Sequence, residues 1–163
     1  MRKRMNRNFL ALAGLLLCWG IPVGAVAGDY EACMAVLKNQ YKGIHTNPVC
    51  LKAATGHPDI QYALGMSYGY AGETVKELEL YQAAAKGGFV PAYLALGHTM
   101  RSAPHKNNAA AISWYTKYVE AGGKGRGYAA LLLSELYAQQ GAHGEAEKWL
   151  AVCKSSGYAG CIK

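Results

Sequence analysis

The chain has 163 residues, one domain's worth and enough to bury a core without a metal to hold it. Of its formal charge of +7, four units come from Arg2, Lys3, Arg4 and Arg7; with no acid in the first 27 residues, the rest is left with +3. That remainder is too small to argue for a nucleic-acid partner.

The basic opening leads into an uncharged apolar run from Phe9 to Trp19, the helix-breaking pair Gly20 and Pro22, and then Ala25-Val26-Ala27. A cationic start, an apolar core and a small-x-small triplet in that order predict a signal peptide cut before Gly28. The apolar core is shorter than the roughly 20 residues that span a bilayer, which argues against a retained anchor. Lipid attachment at Cys18 needs a small residue before it, and Leu17 stands there. The expected organisation is a cleaved leader over 1–27 and a single domain over 28–163. That domain is periplasmic or secreted and not inserted in a membrane.

Without Cys18 the mature chain keeps Cys33, Cys50, Cys153 and Cys161, an even number in a compartment that oxidises thiols, so two disulfides are expected. Four cysteines allow three pairings.

In chain order, Asp29 is a candidate cap for a helix through Ala32, Ala35 and Val36 to about Lys42, and His45 to Pro48 make a turn. Lys52-Ala53-Ala54-Thr55-Gly56 then reads as the end of another helix. Three similar segments follow: Ile60-Gln61-Tyr62-Ala63-Leu64-Gly65, Ala92-Tyr93-Leu94-Ala95-Leu96-Gly97 and Ala129-Ala130-Leu131-Leu132-Leu133-Ser134, with Tyr68, Met100 and Tyr137 three residues beyond each. Their small residues stand 32 and then 37 positions apart, the range of helical-hairpin repeats. Each is followed by a second pattern, Leu80-Tyr81 to Gly88, Trp114-Tyr115 to Gly122 and Trp149-Leu150 to Gly157. The glycine eight residues after the large one suits a left-handed helix cap.

The small residue lets a second helix approach the first, and the large residue one turn on fills the gap between hairpins. Leu64, Leu96, Leu133, Trp114 and Trp149 are the expected core, with Tyr68, Tyr81, Tyr115 and Tyr137 also at packing positions. The fold expected is all-α, an α/α helical-hairpin repeat solenoid of about eight helices in four pairs.

Ala-x-x-x-Leu-Gly-x-x-Tyr followed by Ala-x-x-Trp-Tyr and a glycine seven residues on resembles the Sel-like repeat, a tetratricopeptide-related unit, over roughly residues 46 to 161. The pattern departs from that family around Gly72, where the usual Gly-x-Gly loop is shortened. It departs again at Gly141-x-x-x-Glu145-Ala146, which is tetratricopeptide-like. The spacing of Cys153 and Cys161 resembles the bridge of the family's cysteine-rich secreted branch, which implies Cys153 with Cys161 and so Cys33 with Cys50.

Some of those cysteine-rich relatives are associated with penicillin binding and β-lactam hydrolysis, but no serine here begins a Ser-x-x-Lys and there is no Lys-Thr-Gly. His45, His57, His98, His105 and His143 form no i, i+4 pair, and no Cys-x-x-Cys occurs, so neither a metal nor a cofactor is expected. Glu77 and Glu79, like Glu145 and Glu147, stand two apart and diverge on a helix. Of the twelve tyrosines, Tyr62, Tyr70, Tyr93 and Tyr128 remain within the repeats as candidate surface platforms.

The resemblance implies a non-catalytic module that holds another protein in a groove lined by the first helices. In tetratricopeptide-like grooves the free side lies three before, one after, and four or five after each Gly/Ser position. Here that selects Tyr62, Met66 and Tyr70, then Leu94, His98 and Arg101, then Leu131, Glu135 and Gln139. The partner is either a secreted toxic effector of phospholipase type, which an immunity protein neutralises, or a component of an envelope machine. A penicillin-binding or β-lactam-hydrolysing protein and a glycan binder are the alternatives.

Overall fold

The computed structural model describes residues 23–161, with side chains from residue 28 onward. The cationic start, the apolar run and Cys18 of the expected leader lie outside the described residues.

Among the described residues there are eight α-helices and no strand. They are α1 Val23–Leu37, α2 Pro48–Ala53, α3 Pro58–Tyr70, α4 Thr74–Lys86, α5 Val90–Arg101, α6 Asn108–Glu120, α7 Arg126–Gln139 and α8 His143–Ser155. Two short 3-10 turns, Ile44–Thr46 and Ala159–Cys161, complete them. The helices pack in neighbouring pairs, α1 with α2, α3 with α4, α5 with α6 and α7 with α8, and α4 also lies on α5 and α6 on α7.

Local sequence sets the boundaries. Pro48, Pro58 and Pro91 stand in the first turns of α2, α3 and α5, where a proline lacks only an N–H that has no helical partner. Asn47 accepts from the backbone N–H groups of Val49 and Cys50, and Asn107 from that of Ala110, so both cap the helices they precede. Gly88, Gly122 and Gly157 follow α4, α6 and α8 with φ of 81°, 69° and 73°, the left-handed cap expected of them.

Close packing within the middle two pairs follows the small-against-large pattern. A Cβ added to Gly65 of α3 would stand 2.8 Å from the ring of Tyr81 in α4, and one added to Gly97 of α5 would collide with the ring of Tyr115 in α6. Each tyrosine ring occupies the space that a side chain on the first helix would need. In the last pair the corresponding sequence positions are Ser134 and Leu150.

Leu64, Leu96 and Leu133 are buried, as expected. Trp114 and Trp149 are only half-buried, and the large residue fully enclosed in α6 is Tyr115. One residue along a helix is a rotation of about 100°, so Tyr115 faces Gly97 while Trp114 turns toward the margin. There its ring stacks on Tyr93 at 5.9 Å and carries the Lys117 ammonium on its face at 4.4 Å.

The first helix also differs from expectation. It begins at Val23, upstream of Asp29, which therefore caps nothing and instead pairs with Lys52 of α2 at 2.7 Å. It ends at Leu37, the last residue of that helix to reach the core, short of Lys42. Cys33 and Cys50 stand 4.8 Å apart at Cα, clamping α1 to α2, and Cys153 and Cys161 stand 5.9 Å apart across the turn after α8. Both pairs are at disulfide distance in the pairing expected.

Candidate binding face

The positions selected on α3, α5 and α7 do not share one environment. Tyr62 lies against Tyr81 of α4 at 5.5 Å and Phe89 at 5.2 Å, and burial raises its phenol pKa. Leu94 packs on the cluster between α6 and α7, and Leu131 on the cluster around the second disulfide. These three residues, each three before the small position, are therefore half-buried packing residues and not an open groove floor. Side chains of the adjacent helices and connections cover that side.

The other six form the accessible strip. Met66 is half-buried and Tyr70, 61% exposed, stands with the Lys42 ammonium 5.3 Å from its ring centroid. His98 and Arg101 leave α5 toward α7, where Arg101 meets Glu135 at 3.5 Å and His98 stands 5.8 Å from the Tyr128 ring. Gln139 is exposed at the far end of α7. Residues chosen on successive first helices thus touch one another, making a surface continuous from α5 to α7.

A polar network ties that surface to the core. The Tyr115 hydroxyl and His98 Nδ1 are 3.0 Å apart, so one donates to the other. Burial lowers the His98 pKa and Arg101 lowers it further, while burial pushes the Tyr115 phenol up to about 12. The shift favours the neutral ring, whose Nδ1 can accept the tyrosine proton in a hydrogen bond.

Two cavities border the strip. One of about 520 Å³ is mainly apolar, enclosed by Met34 and Leu37 of α1, Tyr41, Tyr62 and Met66 of α3, and Phe89, with Asp59 at its edge. A smaller one of about 250 Å³ lies between Thr74 and Glu77 of α4, His98 and Thr99 of α5, and His105. Burial raises the Glu77 carboxyl pKa, against the opposing effects of Tyr81 and His105. His105 Nε2 is buried without a hydrogen-bond partner. Among the described residues no three His, Cys, Asp or Glu side chains are placed to hold a metal ion.

No family model, no curated protein and no solved structure matches the chain. What it can do is therefore argued from its own residues.

Two contacts had no signal in the sequence. His45 Nδ1 lies 2.8 Å from Ser67 Oγ, and the His45 backbone N–H also donates to that oxygen at 3.3 Å. Ser67 is fully buried, so the pair fastens the turn at Ile44–Thr46 to α3 and presents no accessible nucleophile. The approach of Glu77 and His105 to His98 was equally hidden, because they stand 7 to 28 positions apart and carry no motif. None of the described helices is long and apolar enough to cross a membrane.

Proposed function

We propose that this chain is an exported α/α repeat protein of the Sel-like kind that binds another protein along the face of α3, α5 and α7, without catalysing a reaction. The observation that carries this reading is the contact of Arg101 with Glu135 and of His98 with Tyr128. Side chains from neighbouring first helices adjoin there, as a groove built from repeats requires. The strip combines a tyrosine, a methionine, an arginine and a histidine beside an apolar cavity into which a partner's side chain fits. Aromatic, methionine and arginine side chains are enriched where proteins bind one another.

Repeat packing is supported by the Gly65–Tyr81 and Gly97–Tyr115 junctions and by core clusters that follow one another along the chain. Export is supported by the order of the leader's parts and by two cysteine pairs at bonding distance. Within this reading we favour an immunity protein that blocks a phospholipase-type effector delivered into the periplasm over an adaptor of an envelope machine, on the resemblance to small exported Sel-like repeat proteins.

Affinity capture of the oxidised mature protein from envelope extract, followed by mass spectrometry, tests the reading. A toxin should be recovered, and a strain lacking this protein should die beside a toxin-bearing sibling. Nitrocefin turnover or sedimentation with cell-wall sacculi, with no protein captured, would replace this reading with the hydrolase or glycan-binding alternative.

A further inference from the structure

The repeat is not uniform, and its irregularities fall in one place. From the small residue of the first helix to the large residue buried against it is 16 positions in α3–α4 (Gly65 to Tyr81) but 18 in α5–α6 (Gly97 to Tyr115). From the cap glycine to the first buried apolar side chain of the next helix is four positions at Gly56 to Ile60 and at Gly88 to Ala92, but seven at Gly122 to Ala129. The longer second connection holds Lys124-Gly125-Arg126, which the packing pattern does not need.

These residues border a cavity of about 380 Å³ between the α6–α7 connection and the end of α8. Tyr128 and Tyr158 form its aromatic side, with ring centroids 5.9 Å apart in an edge-on arrangement. Tyr158 belongs to the short loop closed by Cys153 and Cys161, so that bridge holds one wall. The lining contains no aspartate or glutamate, and neither Lys124 nor Arg126 has an acidic partner among the described residues.

The glycines sharpen the point. A side chain at Gly123 would strike the Tyr118 ring, and one at Gly127 would strike Ser156 and Tyr158, so packing explains both. Gly125 is different. Its φ is −177°, open to any residue, and a Cβ there would make only an ordinary contact with the Tyr118 hydroxyl at 3.5 Å. Neither strain nor crowding requires glycine at that position, and its effect is to leave bare backbone between two cations at the mouth of the cavity.

We infer that this cavity binds a phosphate group, carried either by a soluble phosphate ester or by a lipid headgroup. Two cations without counter-charges suit a dianion, the arginine fork matches two phosphate oxygens, and the bare backbone at Gly125 permits close approach. The volume beyond the cations accommodates the sugar or glycerol that bears the phosphate, against the tyrosine rings. This site adjoins the α3, α5 and α7 strip at Tyr128, but its cations lie outside that strip and it does not depend on the protein-binding reading.

Calorimetric titration of the oxidised mature protein with inorganic phosphate and with glycerol 3-phosphate tests the site, alongside sedimentation with phosphatidylglycerol and with phosphatidylcholine vesicles. Lys124→Ala/Arg126→Ala should weaken binding at least about tenfold, or 1.4 kcal/mol, while Lys38→Ala/Lys86→Ala, which removes the same charge elsewhere, should leave it unchanged. Binding of the soluble phosphates alone identifies an ester as the source. Binding of phosphatidylglycerol vesicles with the same dependence on Lys124 and Arg126 identifies a lipid headgroup. No binding of either, or equal losses in the two double variants, would overturn the proposal.

Discussion

The α3–α4 and α5–α6 pairs are built on the same junction and differ in what surrounds it. In both, a glycine of the first helix lies under a buried tyrosine of the second, Gly65 under Tyr81 and Gly97 under Tyr115. Around the first junction the connections are minimal. Around the second they are longer by three residues before α6 and two after it, and these segments with the first residue of α7 carry His105 beside one polar cavity and Lys124 with Arg126 beside another. Positions that keep the spacing hold the helices together, and positions that break it hold most of the polar chemistry.

The largest effect should come from the junction itself. Tyr115→Ala empties a fully buried site and should destabilise the protein by about 3–5 kcal/mol, whereas Trp114→Ala, at its half-exposed neighbour, should cost less than half as much. Chemical denaturation of the oxidised proteins compares them. Equal losses would mean that Trp114, not Tyr115, is the anchor of α6.

Next comes the clamp at the N-terminal end. Removing both sulfurs with Cys33→Ser/Cys50→Ser should cost about 2–4 kcal/mol, and Cys153→Ser/Cys161→Ser somewhat less because the loop it closes is shorter. The same unfolding measurement checks this, and the reverse order would show that the C-terminal turn contributes more than its loop length implies.

The two glycines give a finer comparison. Alanine favours a helix by up to about 1 kcal/mol over glycine, but the added methyl collides with a tyrosine that has no room to withdraw. Gly97→Ala should therefore be destabilising by about 1–3 kcal/mol, and Gly65→Ala by less, since its added Cβ approaches the ring less closely. A stabilising Gly97→Ala would mean that α6 shifts freely on α5, and the shared junction would lose its meaning.

The paired helices are legible in the sequence because their signal is the recurrence of residue types at fixed offsets. The cap glycines, the small-against-large positions and the cysteine pairing all depend on that recurrence or on the resemblance built upon it. Trp114 was misjudged because adjacent aromatics, Trp114 and Tyr115, leave the helix about 100° apart, and only the neighbouring helix decides which of them is enclosed. Tyr62, Leu94 and Leu131 differ from expectation because periodicity gives the face of a helix but not which neighbouring side chains cover it. The Arg101–Glu135 and His45–Ser67 contacts join residues 34 and 22 positions apart, a separation over which no local pattern carries information.

The smallest expected effect is one of pH. The folded protein holds the His98 pKa below its ordinary value, so below about pH 6.5 the unfolded chain takes up this proton more readily. The stability His98 contributes is present above that value and is lost as pH falls through the lowered folded pKa. Tyr115, Tyr128, Arg101 and, across Arg101, Glu135 surround the ring, with Glu77 and His105 on the same cavity. Glu77 acts in the opposite sense, since its raised pKa makes it destabilising as pH rises through that value. The fall in melting temperature from pH 7 to pH 5.5 should be smaller in His98→Gln. An unchanged fall would assign the acid sensitivity to other groups.

The central claim is that the exposed strip over α3, α5 and α7 recognises a protein. Tyr70→Ala, Arg101→Ala and Glu135→Ala combined leave Tyr62, Leu94 and Leu131 in place and break a solvent-exposed ion pair, worth at most about 1 kcal/mol, and the exposed contact of Lys42 with the Tyr70 ring, so the triple variant should stay folded and helical. The account predicts that its affinity for the captured partner, measured by calorimetry with helicity checked by circular dichroism, falls at least about tenfold, or 1.4 kcal/mol. Unchanged affinity in that folded variant would contradict the claim and move the binding surface away from the first helices.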